Sequence, residues 1–302
     1  MYRALCERAV RQTFGNDVKL SSFNIMTDGY RNLTAKVACS AYSAPMFFKA
    51  EKPFSYPKTQ KYQIAREQAG LLLCAQHNIP APKLIAAGNE PSPWLLETFM
   101  PGKPLSHFAL TTNDKEQIKK EFETIFHKLC QIQSSCYGDT FDGGFLGRHK
   151  EWKEALAAMT QLIFEDGEAI NLWGGQASLV QSALQKALKQ INDSSPAVFY
   201  HCDLFSANVM GLPDEHELIH IHSIIDFGMS MFAPLQYVRN MTRRYCDLLQ
   251  PASSEEEPFA YQDAYQILRI EPLLLMKLFQ YSDTECAVDK HIQACIHYLD
   301  KD

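Results

Sequence analysis

The stretch that most restricts this chain is VFYHCDLFSANVM at 198–210, followed after a polar gap by IIDFG at 224–228. AVFY and HSII are short, apolar and rich in β-formers, so each reads as a buried strand. Strands ordinarily stop at turn residues, and Asp and Asn are common among them. Here the two runs end on His201, Asp203, Asn208 and Asp226, with Gly228 letting the backbone turn sharply. If the two strands are neighbours, both ends open into one cleft and Asp203, Asn208 and Asp226 converge. The pattern H-x-D-x-x-x-x-N arises by chance about 0.04 times in a chain of this length, before D-F-G is required behind it.

An amide oxygen and a carboxylate are hard donors of the kind that hold Mg²⁺ while leaving room for water and phosphate oxygens. The other carboxylate, Asp203, can orient or deprotonate an attacking hydroxyl. Phosphoryl transfer asks for little more from a protein than positioning and charge stabilisation. The island therefore points to metal-assisted transfer to a hydroxyl, with Mg²⁺ as cofactor and ATP (or GTP) as co-substrate.

These residues resemble the aminoglycoside phosphotransferase and choline kinase-like family, small-molecule relatives of the protein kinases. The family's H-G-D-[LI]-x-x-x-N loop stands here as His201-Cys202-Asp203-Leu204…Asn208, and its I-D-F/W-[GE] motif as Ile225-Asp226-Phe227-Gly228. The resemblance spans about 20 to 245. It implies an α+β, two-lobed protein-kinase-like fold, with a small β-rich N-lobe at 1–100 and a larger, mainly helical C-lobe at 101–302. By resemblance Asp203 is the catalytic base or hydroxyl orienter, Asn208 and Asp226 hold the metal, and His201 buttresses the loop.

The implied reaction moves the γ-phosphate to a small-molecule hydroxyl. Protein kinases carry Arg where Cys202 stands. Here the chain runs from D-F-G into MSMFAPLQYVRNM, a helix-like stretch with no long activation segment and no A-P-E. A peptide acceptor is disfavoured. The family's G-D-P-x-x-D-L segment keeps only Pro234, and Arg239, Arg243 and Arg244 follow, which speaks against a polycationic aminoglycoside. Glu165, Asp166 and Glu168 read as exposed. The alternative is a nucleotide-binding pseudokinase with a regulatory role, motivated by a glycine-poor loop.

The first half supplies the parts that a phosphate site needs. Spacing predicts a helix over 4–14, strands at 18–25, 33–40 and 45–50, and a helix over 60–77 that stops at NIPAP. KLIAAG and WLLETFM are further strand candidates, before MPGKPLS breaks the pattern. Lys49 ends an apolar strand, where its stem can be buried while the ammonium reaches a phosphate. Glu67 shares a helix face with Ile64, Leu71 and Cys74 and calls for a cation. Lys49 is the expected partner, with Lys52 and Glu51 as alternatives. In MTDGYRNLTAKV, where the family covers its phosphates, Gly29, Arg31 and Asn32 are the matching residues. The segment from Glu97 to Phe99 is the expected hinge, holding the base through backbone groups, with Trp94, Leu96 and Met100 as core.

Beyond the hinge, helices are expected near 113–134, 151–165, 176–192 and 234–249, with YGDTFDGGFLG as a loop. An acidic linker over 251–258 then precedes two C-terminal helices. A net charge of −6 argues against nucleic acid or an anionic membrane as partner. The N-terminus lacks the apolar core of a signal peptide, and no apolar run approaches the ~18 residues of a membrane span. Nine scattered cysteines without a C-x-x-C pair suit the reducing cytoplasm. His216, His220 and His222 surround one strand, but no third zinc ligand stands at suitable spacing. Nothing in the sequence specifies the acceptor or an oligomeric state.

Overall fold

Leu33, Ala35, Val37 and Cys39 alternate along one strand and are all buried, so that strand packs one face against a core. In the computed structural model, which describes residues 2–26, 32–52, 58–144, 146–249 and 261–301, they belong to a five-stranded antiparallel sheet. After α1 (Tyr2–Phe14) come β1 (Leu20–Met26), β2 (Asn32–Cys39), β3 (Tyr42–Glu51), α2 (Gln63–Gln76), β4 (Leu84–Gly88) and β5 (Trp94–Thr98). The spatial order is β1-β2-β3-β5-β4.

One sheet face closes on Cys6, Ala9 and Val10 of α1 through Met46, Phe48, Trp94 and Leu96. Successive strand residues point to opposite faces. Lys49, which pairs with Leu95, and Glu97, which pairs with Phe47, therefore share the other face, towards the rest of the chain.

The C-terminal part is mainly helical. It runs through β6 (Lys103–Pro104), α3 (Thr112–Gln131), β7 (Gln133–Ser134), β8 (Tyr137–Asp139), β9 (Arg148–His149), α4 (Trp152–Ala169) and α5 (Ala177–Gln190). The β island follows as β10 (Ala197–Tyr200), β11 (Val209–Pro213), β12 (Ile219–Ile224) and β13 (Met231–Pro234). Then come α6 (Leu235–Tyr245), α7 (Gln262–Leu268), α8 (Glu271–Leu278) and α9 (Thr284–Asp300). A β-rich N-terminal region and a helical C-terminal part make up the two-lobed kinase-like architecture. None of the described helices is long and apolar enough to cross a membrane.

Several expectations need correction. The strands that enter the two motifs, β10 and β12, are not neighbours: β10 pairs with β13, and β11 pairs with β12. The strand entering His201 thus pairs with the one leaving Gly228, and the strand leaving Asn208 pairs with the one entering Asp226. The β11–β12 hairpin is thus nested between β10 and β13, and that nesting brings the two loops together. MSMFAPLQYVRNM opens as strand β13, because Met231 to Pro234 must close the ladder with β10 before α6 begins. Three helices, not two, follow residue 260, and the linker over 251–258 lies outside the described residues.

YGDTFDGGFLG is not a plain loop, since Asp139 ends β8 fully buried and accepts from the Leu146 and Gly147 amides at 2.7 and 3.1 Å. Asp166 is buried rather than exposed, because its carboxylate accepts the Lys58 and Thr59 amides, each at 2.9 Å. Glu165 is half-exposed and pairs with Lys58 at 3.0 Å, and Glu168 is exposed.

Candidate active site

β3 carries Lys49 to the inner face of the sheet, and α2 turns Glu67 towards it. The ammonium stands 2.6 Å from Glu67 Oε2 and 2.7 Å from Asp226 Oδ1. Burial works against the Lys49 charge, yet the carboxylates of Asp226, Glu67 and Glu97 outweigh it and raise its pKa. Burial pushes the Glu67 carboxyl upward, with the Asp226 charge adding and Lys49 opposing. Of the alternatives, Glu51 accepts the Tyr62 amide and faces Lys61.

Asp226 adopts the left-handed conformation, with φ 65°, so the sharp turn belongs to it and not to Gly228. Gly228 serves closeness to α2 instead, since a Cβ there would stand 3.3 Å from Glu67 Oε2. Phe227 is fully buried, its backbone amide donates to Glu67, and its ring lies 4.8 Å from the His201 ring. Gly70 of α2 admits that side chain, because a Cβ there would stand 2.7 Å from Phe227 Cβ.

The other loop is fixed by backbone hydrogen bonds. His201 Nε2 lies 3.0 Å from the Ile225 carbonyl, and its Nδ1 accepts the Asp203 amide at 3.3 Å. Only the neutral ring with its proton on Nε2 can do both. Burial favours that form by lowering the His201 pKa. The Ile225 amide donates to the Asn208 carbonyl at 3.0 Å, which ties the two loops a second time. Cys202, where the family commonly has Gly, takes φ 66°, a conformation that glycine adopts most readily.

Asn208 Nδ2 donates to the Asp203 carbonyl at 2.7 Å and to Asp203 Oδ2 at 3.1 Å. That orientation turns the amide oxygen away from Asp203. Asp226 follows Ile225, whose amide is bonded to the Asn208 carbonyl, and the side chains of Asn208 and Asp226 carry hard oxygen donors of the kind that hold Mg²⁺. Among the described residues no cluster of three or more His, Cys, Asp or Glu could hold a metal by itself. An ion on Asn208 and Asp226 would complete its shell with water and phosphate oxygens, as Mg²⁺ commonly does.

The remaining expected residues are less uniform. Gly29 and Arg31 lie outside the described residues. Asn32 is buried and donates to Gln63 Oε1 at 3.1 Å, so its side chain is committed to α2. The Phe99 amide donates to the Pro45 carbonyl at 3.2 Å, and its ring lies beneath the Lys36 ammonium at 4.1 Å. That amide is thus held inside the sheet and only the Phe99 carbonyl is left for a base. Trp94 and Leu96 belong to the α1-side core, while Met100 is half-buried. Glu97 contributes more than backbone, because its side chain enters the Lys49 face and is only 5% exposed. Burial, then the Glu67 charge, holds its carboxyl well above the usual range, against the pull of Lys49.

Sequence reasoning missed two contacts. Arg66, next to Glu67, makes a buried ion pair with Asp139 at 2.8 Å that joins α2 to the helical part. Asp247 accepts the Ser206 amide at 2.8 Å, beside the Asp203 loop, and no sequence pattern marks it. In the histidine group, His220 lies 2.6 Å from Glu121 and 3.3 Å from Asp214, so both ring nitrogens already face carboxylates.

The profile described as phosphotransferase enzyme family matches residues 27–266. No curated protein matches the chain in sequence. Among solved structures the chain is similar to a candidate fructosamine-3-kinase from Haemophilus somnus 129PT, at 16% identity and TM-score 0.65 over 97% of both chains. It is also similar to the aminoglycoside phosphotransferase APH(4)-Ia, at 14% identity and TM-score 0.59 over 98% of this chain and 99% of that one. A thermostable mutant of that enzyme, in a ternary complex with ADP and hygromycin B, matches at 13% identity and TM-score 0.59 over the same shares. At these identities the likeness is one of fold.

Proposed function

The chain belongs to the phosphotransferase enzyme family, and from that premise we propose that it transfers the γ-phosphate of ATP (or GTP) to a hydroxyl of a small molecule. The observation that carries this reading is the continuous chain of contacts from Glu67 through Lys49 to Asp226, beside the Asp203–Asn208 pair. In our reading the nucleotide lies between the β-rich part, 1–100, and the helical part, 101–302. Lys49 steadies its α and β phosphates, and Glu67 places Lys49. Asn208 and Asp226 hold Mg²⁺, which when bound offsets phosphate charge.

Asp203 takes the proton of the acceptor hydroxyl as its oxygen attacks the γ-phosphorus. The bond to the bridging oxygen breaks, and the nucleoside diphosphate leaves with that electron pair. Gly29 and Arg31 remain proposed phosphate contacts, and Asn32 acts by holding its strand to α2. The backbone from Glu97 to Phe99 borders the base. All nine cysteines are free thiols in the structure, which supports a cytoplasmic reaction.

Arg239 and Arg243 are exposed on α6, and with both family acids missing before them the reading favours a neutral or anionic acceptor. The regulatory, non-catalytic alternative rests on the glycine-poor loop alone, and the intact Asp203, Asn208 and Asp226 speak against it. The test is phosphate incorporation from labelled nucleotide across a panel of sugars, amino alcohols, choline and aminoglycosides. Turnover of at least one hydroxyl compound by the wild type, lost in Asp203→Ala, is expected. Full turnover by Asp203→Ala would overturn the assignment.

A further inference from the structure

Glu97 poses a problem that the transfer reaction does not solve. Its side chain is 5% exposed, and its Oε2 has no hydrogen-bond partner among the described residues. A buried carboxyl oxygen left without a partner costs stability and calls for an explanation. Lys49 does not supply one, because its hydrogen bonds go to Glu67 and Asp226. A third carboxylate beside the phosphates would also repel them.

The position of Glu97 suggests a different partner. Lys49 lies opposite Leu95, and Glu97 lies opposite Phe47, one strand repeat further towards the segment that leads into the helical part. One repeat is about 7 Å. In the reading above, where the backbone from Glu97 to Phe99 borders the base, a nucleotide whose phosphates rest on Lys49 and Asp226 brings its base to this end of β5.

We propose that the Glu97 carboxyl reads the nucleobase and selects adenine over guanine. This rests on the nucleotide-dependent reading above. Adenine presents an amino N–H donor beside the N7 acceptor, whereas guanine presents two acceptors, O6 and N7. A carboxyl that keeps its proton offers one acceptor oxygen and one O–H donor, the complement of adenine's pair. Burial and the Glu67 charge, which raise the Glu97 pKa, favour that form. Against guanine, one carboxyl oxygen would face O6 or N7 with no hydrogen between them. Polar groups buried in this way reject ligands that leave them unpaired more strongly than apolar pockets do.

The experiment measures dissociation constants of wild type, Glu97→Met and Glu97→Gln for Mg²⁺ complexes of non-hydrolysable ATP and GTP analogues and for 7-deaza-ATP. Turnover with ATP and GTP is measured alongside. The wild type should prefer the ATP analogue at least tenfold and bind 7-deaza-ATP several-fold more weakly than ATP. Glu97→Met should weaken the ATP analogue about tenfold, leave the GTP analogue within twofold and lose the 7-deaza penalty. Glu97→Gln, which retains a donor and an acceptor, should keep ATP binding within about threefold.

If phosphate transfer occurs but Glu97→Met changes both nucleotides equally, Glu97 only supports Lys49 and the inference alone fails. If no nucleotide binds the wild type, the inference and the proposed function fail together. Should Glu97→Met not fold, the wild-type ratios for GTP and 7-deaza-ATP decide the matter. A wild type that discriminates neither overturns the inference.

Discussion

On the sheet side of the cleft, Lys49 and Glu67 leave 7% and 1% of their side chains exposed, whereas Asp226 opposite them leaves 48%. Asp203 is half-buried. The sheet side is dry, holds one cation among carboxylates, and depends on pairing, because an unpaired buried charge is costly. The loop side is open, and its geometry comes mainly from bonds to backbone: His201 to Ile225, Asn208 to Asp203, Ile225 to Asn208. Changes on the dry side should therefore be felt in binding and stability, whereas on the open side a change at Asp203 should be felt in chemistry and changes at Asn208 and Asp226 in Mg²⁺-dependent binding.

The largest expected effect is on the open side. Asp203→Ala should lower turnover about 10²- to 10⁴-fold, the range of a lost general base, and leave nucleotide affinity within a few-fold. Steady-state kinetics with parallel calorimetry would check it, and a matched loss of affinity would blur the proposed division.

Next comes the joint between the two parts. Asp139→Ala leaves the buried Arg66 unpaired and should cost about 3–5 kcal/mol in urea unfolding. The double change Arg66→Met with Asp139→Asn, whose amide oxygen can still accept the Leu146 and Gly147 amides, should recover part of that loss. A single change that costs under 1 kcal/mol would mean the pair is not buried in solution.

A smaller effect is expected for Glu67→Gln, which keeps a hydrogen bond to Lys49 but removes the charge. The Michaelis constant for nucleotide should rise about tenfold, with the rate constant at saturation less affected. The reverse pattern would place Glu67 in the chemistry.

The smallest effect concerns pH. His201 is held below its usual pKa by burial. The unfolded chain, with a His pKa near 6.5, takes up a proton that the folded ring resists. Stability is then fully present above about pH 6.5 and declines as pH falls below it, by at most about 1.4 kcal/mol per pH unit from this group. Urea midpoints from pH 7.5 to 5.5 should show that component in the wild type and lose it in His201→Asn.

The same contrast marks how far the sequence could be read. The open loops were legible because His201, Asp203, Asn208 and Asp226 stand at fixed spacings at the ends of apolar runs. Their convergence was inferred from the wrong pairing, since strand propensity says which segments are strands and not which strands join. Lys49 and Glu67 were legible from an apolar strand end and one helix face. The Arg66–Asp139 pair was not, because its members lie 73 residues apart and Asp139 occurs in a glycine-rich stretch that reads as loop. The burial of Asp166 is hidden from the sequence for a related reason: its partners are backbone amides more than a hundred residues upstream. The sequence marks Glu97 only as hinge backbone, and the register of β5 against β3 reveals which face its carboxyl takes.

The most direct measurement is the dependence of nucleotide affinity on divalent metal, compared between the wild type and the Asn208→Ala/Asp226→Ala double variant. The account predicts that Mg²⁺ strengthens ATP binding to the wild type by at least tenfold and leaves the double variant unchanged. Equal Mg²⁺ dependence in both proteins would contradict it.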